Sequence, residues 1–466
     1  MDLPWEVLAS LTAFLDKEEG KSLRQVSKYW NRAITPLLCR TLIYDPLETN
    51  REAHKSFLRR YGVCADKLVF GFLGLGNVSP LSEADVDFLL EHFPKLSSIE
   101  FNICEENPEK CAIGLRELGQ GLPRLRQLEL RGVIDRAILK ILNPLFSKLR
   151  KVSLGQIYQR DGSAGDQRFH MSSLLPYLEL SSVKDLSFFE SENSASYDLL
   201  VQRFPSLDFL FYSWCCRQNN AWMLFDVKKM AIKQVWTEVG AGSEVSIDFD
   251  VKHFNPKARH SKVSHLPSEQ LQYIQDSFDH DEGERNSELV LPPIKSLYMG
   301  GHAYDEKLAE FLEEKSDVPH IVLNIKHSDE VFNFPQIKFS SHCLVIKYTE
   351  GLASLLWASK WFPNLTALYL NGPIDENDLK DHEIQFESLR CFFTCHVQPS
   401  SFWERLLESS RGLKQVFLST DDPSFDQLRE DYPNLSFGYW SKESQRMKEY
   451  VSFFSPNKYF FYSIDL

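Results

Sequence analysis

The chain is 466 residues long, 43% hydrophobic and 13% aromatic, with 52 Lys and Arg against 65 Asp and Glu, a formal net charge of −13. This composition supports a large folded core and excludes wholesale disorder, and the negative balance argues against a surface that tracks nucleic-acid phosphates. At about 150 residues per domain the length fits three domains or one elongated repeat domain. The one compact basic run, Lys257 to Lys262, reads as a solvated loop. The first residues, Met-Asp-Leu-Pro-Trp-Glu, carry no cationic and apolar leader, and no stretch reaches the ~18 apolar residues that span a bilayer. A cytoplasmic or nuclear protein without a membrane partner is expected, with its nine scattered cysteines as free thiols.

Apolar residues at Val7, Leu8, Leu11 and Leu15, and again at Leu23, Val26 and Trp30, follow the spacing of amphipathic helices. Pro4 suits a first helical turn, and Pro36 is expected to open a third short helix with Leu37 and Leu38. Forty such residues cannot bury a sufficient core alone, so their apolar face must meet a partner or the rest of the chain.

The order and spacing of Leu3-Pro4-x-Glu6-Val7-Leu8, Leu11, Leu15, Leu23 and Val26-Ser27-x-x-Trp30 resemble the F-box motif, and Ile34 to Ile43 looks like its continuation in fungal-type F-box proteins. The resemblance covers residues 1–45, and it departs from the family at Gly20, where members usually carry an apolar residue. It implies docking to the Skp adaptor and, through it, to the cullin of a ubiquitin ligase. Leu3, Pro4, Leu8, Leu11, Leu15 and Val26 would then line the adaptor-facing or trihelical core surface, with Trp30 packing behind.

After this module a repeat sets in. Leu-Pro-Arg-Leu125-Arg-Gln-Leu128-Glu-Leu130 has relatives in Phe-Pro-Lys-Leu96-Ser-Ser-Ile99-Glu-Phe101 and Phe-Pro-Asn-Leu365-Thr-Ala-Leu368-Tyr-Leu370. Looser copies start at Leu149, Val183, Leu207, Ile232, Ile294, Leu389, Leu413 and Leu435. Most steps, such as 29 from Leu96 to Leu125 and 24 from Leu365 to Leu389, are those of leucine-rich repeats. Helical segments such as Ser82–Phe93, Asp305–Lys315, Gly351–Phe362 and Ser401–Ser409 lie between the triplets. The fold expected over residues 46–439 is therefore an irregular α/β solenoid, a leucine-rich-repeat horseshoe behind a three-helix F-box. Cys104 and Cys215 stand where the leucine-rich pattern often places Asn or Cys. Order lapses at about 240–290, which holds His253, His260, His265 and an acidic run, and reads as a surface insertion with a helix at Ser268–Phe278. Residues 440–466 form an aromatic tail.

Strand side chains alternate, so the residue between the last two apolar positions of each triplet faces away from the core. In order these are Glu100, Glu129, Ser153 and Ser187, then Phe211, Trp236, Tyr298, Tyr369, Phe393, Phe417 and Tyr439. The turn from polar to aromatic residues marks Phe211, Trp236, Tyr298, Tyr369, Phe393 and Phe417 as a candidate target-binding face. An intramolecular alternative stands beside it: the apolar tail covers part of this row and makes it core.

Catalytic patterns fail on mechanism. Gly71-Phe-Leu-Gly74-Leu-Gly76 reverses the dinucleotide spacing and reads as a turn, and Cys391-x-x-x-Cys395-His396 has no second ligand pair nearby for zinc. No catalytic residue, metal site or cofactor is assigned. The expected function, carried by the F-box resemblance, is that of a non-catalytic substrate receptor in a Skp/cullin/F-box ligase. A non-degradative adaptor-bound scaffold and a plain solenoid binding protein are the alternatives.

Overall fold

The computed structural model describes residues 22, 25, 27–45, 51–70, 80–104, 106–158, 174–190, 196–215, 220–239, 243–252, 267–268, 270–271, 274, 291–301, 306–325, 336–347, 351–379, 382–394, 396, 398–419 and 425–440. Two compact units are present: unit 1 is Met1–Met230 with Leu266–Ser268, and unit 2 is Ala231–His265 with Glu269–Leu466.

The apolar-Pro-x-apolar signature of the repeat is a turn. The Leu96 amide donates to the Phe93 carbonyl at 3.2 Å, Leu125 to Leu122 at 3.4 Å and Leu365 to Phe362 at 3.2 Å, with Pro94, Pro123 and Pro363 at the position where a proline presets φ. The chain then enters a strand whose first carbonyl accepts two amides from the next repeat. Arg40 O takes Asp66 and Lys67, Asp66 O takes Ser97 and Ser98, Ser97 O takes Arg126 and Gln127, and Arg126 O takes Arg150 and Lys151. Each repeat is thereby held in register by the one before it.

In unit 1 this device joins seven parallel strands in chain order: β1 (Thr41–Tyr44), β2 (Lys67–Phe70), β3 (Ser98–Ile103), β4 (Gln127–Val133), β5 (Lys151–Tyr158), β6 (Asp185–Glu190) and β7 (Phe209–Cys215). A hairpin strand, β8 (Asn220–Asp226), runs antiparallel to β7. Helices α1 (Lys28–Leu38), α2 (Arg51–Tyr61), α3 (Glu83–His92), α4 (Pro108–Gly121), α5 (Arg136–Phe146) and α6 (Ser196–Arg203) accompany the strands. Segments of 8 to 14 residues are marginal helices alone, so their stability comes from docking an apolar face. Val86 and Leu89 of α3, Leu115 and Leu118 of α4 and Leu139 and Leu142 of α5 are buried with the strand rows Leu68, Ile99, Leu128, Val152 and Phe70, Phe101, Leu130, Leu154. Full burial of each such side chain contributes about 1.5–3 kcal/mol. Ser82 caps α3, as its sequence position suggests: its side chain accepts from the Asp85 amide while Asp85 reaches back to the Ser82 amide.

Unit 2 opens with an antiparallel meander, β9 (Ala231–Val239), β10 (Ser243–Phe249) and β11 (Ile294–Gly301). It continues in parallel through β12 (His320–Ile325), β13 (Cys343–Lys347), β14 (Ala367–Asn371), β15 (Cys391–Thr394), β16 (Gln415–Ser419) and β17 (Ser436–Trp440). Helices α7 (Glu306–Glu314), α8 (Gly351–Trp361), α9 (Glu376–Leu379), α10 (Ser400–Ser409) and α11 (Phe425–Asp431) alternate with them. Each unit is thus an α/β solenoid-like stack of mostly parallel strands with intervening helices.

Several details differ from the sequence reading. Pro36 does not start a separate helix, because α1 runs through it. β1 lies inside the segment assigned to the F-box and is already a ladder strand paired with β2. Residues 243–249, assigned to the insertion, form a strand of the meander, while the described residues of 267–274 are helical, in line with the helix expected from Ser268. Leu3, Pro4, Leu8, Leu11, Leu15 and Val26 lie outside the described residues, and of Trp30 only its place in α1 is described. The glycine-rich turn at 71–76 and the tail after Trp440 lie outside them as well.

Candidate functional site

The strand face opposite the helices differs between the units. In β2 and β3 of unit 1 burial alternates strictly, with Lys67, Val69, Ser98, Glu100 and Asn102 half-buried. In unit 2 consecutive residues are buried, as at Leu297–Tyr298–Met299, Ile321–Val322–Leu323 and Leu368–Tyr369–Leu370. Alternation marks a sheet with one solvated face, and continuous burial marks one covered on both.

On the unit 1 face, cross-strand register sets Ile43, Val69, Glu100, Glu129, Ser153, Ser187, Phe211 and Leu224 in one row. Four charges knit across three strands. Lys67 Nζ stands 2.8 Å from Glu100 Oε2, Arg131 Nη2 stands 3.1 Å from Glu100 Oε1, and the same guanidinium donates to Glu129 Oε1 from Nη2 at 2.7 Å and from Nε at 3.1 Å. Burial on its own would lower the Arg131 pKa, but the hydrogen bond that Arg131 donates to Glu129 and the charges of Glu129 and Glu100 outweigh it and hold the guanidinium above its usual value.

Two glycines make room for this arrangement. Gly132 adopts φ +91°, and a Cβ there would stand 2.2 Å from the Ile103 carbonyl oxygen, so the irregular register after Leu130 requires glycine. At Gly155 a Cβ would meet Arg131 Cγ at 3.1 Å, so its absence leaves space for the arginine stem.

The row of unit 2 runs Trp236, Ser246, Tyr298, Val322, Val345, Tyr369, Phe393, Phe417 and Gly438. Tyr298, Tyr369 and Phe393 are 8%, 7% and 8% exposed and form an apolar cluster with Val322, Cys343 and Val345, against which Phe417 packs. Phe393 and Phe417 stack with centroids 4.6 Å apart and planes 5° from parallel. Phe392, the neighbour on β15, meets Phe402 and Trp403 of α10 at 5.6 and 5.9 Å, so the two successive rings serve opposite faces.

These positions correct the expectation of an open aromatic ladder. Tyr298, Tyr369 and Phe393 are core residues, while Phe211, Trp236 and Phe417 are half-buried. Phe211 belongs to unit 1, where its ring lies 5.6 Å from that of Trp222. The aromatic succession is also interrupted by Ser246, Val322 and Val345. Tyr439 leaves the row: Gln415 stands two residues after Leu413, but its partner Ser436 stands one after Leu435, so each β17 residue shifts by one and Gly438 faces Phe417.

Beside the aromatic row lies a more polar one: Gln234, Asp248, Ser296, His320, Cys343, Ala367, Cys391 and Gln415. Burial raises the Asp248 carboxyl to about 6, against the opposing pull of the Ser296 hydroxyl, 3.1 Å away, and of Lys295, Lys233 and Gln234. Burial, then the charges of Lys295 and His342, lower the pKa of His320. Burial pushes the Cys343 thiol up to about 12. Among the described residues no three His, Cys, Asp or Glu side chains are grouped to hold a metal ion; Cys395 lies outside them. Among the described residues no helix is long and apolar enough to cross a membrane.

The sequence reading missed Lys67 and Arg131. Arg131 stands two residues after Glu129 on one strand, so alternation alone places both on one face. Lys67 was hidden because its strand follows Ala65, a small residue in the place of the repeat's leading leucine.

No protein-family model matches the chain, and no curated protein matches it. Among solved structures, the chain is similar to one in the Toll–Spätzle complex of Drosophila, at 13% identity and a TM-score of 0.19. The similarity covers 81% of this chain and 36% of the other, so the chain spans little more than a third of that protein's length.

Proposed function

We propose that the chain is a protein-binding solenoid of the leucine-rich-repeat type that acts as a non-catalytic substrate-recognition subunit of a Skp/cullin/F-box ubiquitin ligase. The observation that carries the binding role is the strand face of unit 1, kept out of the core and lined with the half-buried charges Lys67, Glu100, Glu129 and Arg131, with the aromatic Phe211 three strands further along the same row. Charges fixed in this way select a partner by complementarity more than by raw affinity. The adaptor contact rests on the resemblance of residues 3–30 to the F-box. A protein of this kind performs no bond chemistry. It raises the effective concentration of a target lysine beside a conjugating enzyme, in the cytoplasm or nucleus.

Co-purification with the full chain tests the reading. A substrate receptor recovers both the Skp adaptor and a cullin, an adaptor-bound scaffold recovers the adaptor alone, and a plain binding protein recovers neither. Leu11→Asp should abolish adaptor capture while the protein stays folded by circular dichroism. Undiminished capture by that folded variant would remove the F-box assignment.

A further inference from the structure

Cys104 follows the last residue of β3, and Cys111 lies one turn into α4. Their sulfur atoms stand 3.2 Å apart, with Cys104 7% exposed and Cys111 fully buried. A disulfide needs about 2.05 Å between sulfurs, so closure asks for an approach of about 1.1 Å. The short connection between them favours it. Asn107 stands at the N-cap of α4 without a side-chain cap bond, and Pro108 occupies the first helical turn, so no capping side chain ties the start of this helix.

We propose that Cys104 and Cys111 form a modification site, a dithiol that a peroxide closes to an intramolecular disulfide clamping the start of α4 to the end of β3. Cys104, the more accessible thiol, attacks hydrogen peroxide as its thiolate. The O–O bond breaks, the displaced hydroxide takes up the thiol proton as water, and Cys104 becomes a sulfenic acid. The Cys111 sulfur then attacks the Cys104 sulfur, the S–O bond breaks, and the hydroxyl leaves with the Cys111 proton as a second water. Two thiols are oxidised and one peroxide is reduced to two waters. Burial, the largest influence on Cys111, pushes its thiol up to about 12, which keeps it protonated and makes closure slow at neutral pH. The clamp fixes the end of the strand that carries Glu100 and Asn102 of the charged face.

Peptide mapping of the full-length protein tests this. After native treatment with hydrogen peroxide, remaining thiols are blocked with N-ethylmaleimide in denaturant and the protein is digested with trypsin. Cleavage after Lys95, Lys110 and Arg116 releases residues 96–110 and 111–116 as separate peptides, each with one cysteine. Closure joins them in one species about 2 Da lighter than the sum of the reduced pair, which dithiothreitol splits. The thermal midpoint of the oxidised protein rises and returns on reduction. Recovery of both peptides with maleimide, under peroxide that has oxidised the half-buried Cys64, overturns the proposal. So does Cys104 recovered as a sulfinic acid beside a maleimide-labelled Cys111. Cys111→Ser should convert Cys104 to that overoxidised form, and if this variant does not fold, the wild-type map decides alone.

Discussion

The hydroxyl of Tyr44 donates to the carboxylate of Asp85 at 2.5 Å, joining β1 to α3 across 41 residues of chain. Both side chains are buried, and the same carboxylate accepts from the Ser82 amide and hydroxyl and lies 3.6 Å from Lys55 Nζ. A buried carboxylate is costly unless satisfied, so the bond secures the first strand of the ladder.

Tyr44→Phe should therefore destabilise unit 1 by about 1–3 kcal/mol in urea unfolding. The loss should shrink in an Asp85→Asn background, because the two groups share one interaction. Equal losses in both backgrounds would show that the pair is uncoupled.

The charged face of unit 1 is half-buried, so its ion pairs are partly screened. Glu100→Gln is expected to cost about 1 kcal/mol at low ionic strength, and less in 1 M salt. A cost independent of salt would point to packing as its origin.

In unit 2, Phe393→Ala should cost about 3–5 kcal/mol, as expected for emptying a packed aromatic site. Ser187→Ala, in the facing-out row of unit 1, should stay within about 0.5 kcal/mol. Chemical denaturation compares the two, and a Phe393→Ala loss below about 1 kcal/mol would return this row to the solvent face.

Asp248 makes stability depend on pH. The folded protein holds this proton up to about pH 6, against 3.8 for an ordinary aspartate, so the contribution is complete below the unfolded value and is lost as pH rises through about 6. Asp248→Asn carries no such titration. The variant should gain about 3 kcal/mol on the wild type between pH 4 and 6 and keep that gain to pH 8, read from thermal or urea unfolding. A difference that does not vary with pH would deny the buried titration.

What was legible in the chain was local. The apolar-Pro-x-apolar turn is written within four residues, and alternation correctly turned Glu100, Glu129, Ser153 and Ser187 out of the core. Where the leading leucine is replaced, Leu68–Phe70 and Cys343–Tyr348 are legible as strand-like runs, but not as copies of the repeat. Ala65 precedes β2 and Ser341 precedes β13, the serine buried with its hydroxyl donating to the Val318 carbonyl at 2.5 Å. A hydroxyl satisfied in this way fills an apolar position without an apolar signal. Burial of the Tyr369 row was illegible for a different reason: an outward aromatic reads alike whether water or protein lies above it. The N-terminal helices remain a matter of resemblance.

The reversal of strand direction at β8 and within β9–β11 has a consequence for how such a chain can grow. In a run of parallel strands, every strand presents its neighbour with the same edge, so an additional strand and helix can be spliced in by gene duplication without altering either side. Beside an antiparallel strand a copied unit meets a neighbour of opposite direction, as β7 meets β8 and β11 meets β10, and must pair through the other ladder pattern. Lengthening or shortening by whole strand-and-helix units is thus expected within β1–β7 and within β11–β17, where each strand meets neighbours of its own direction.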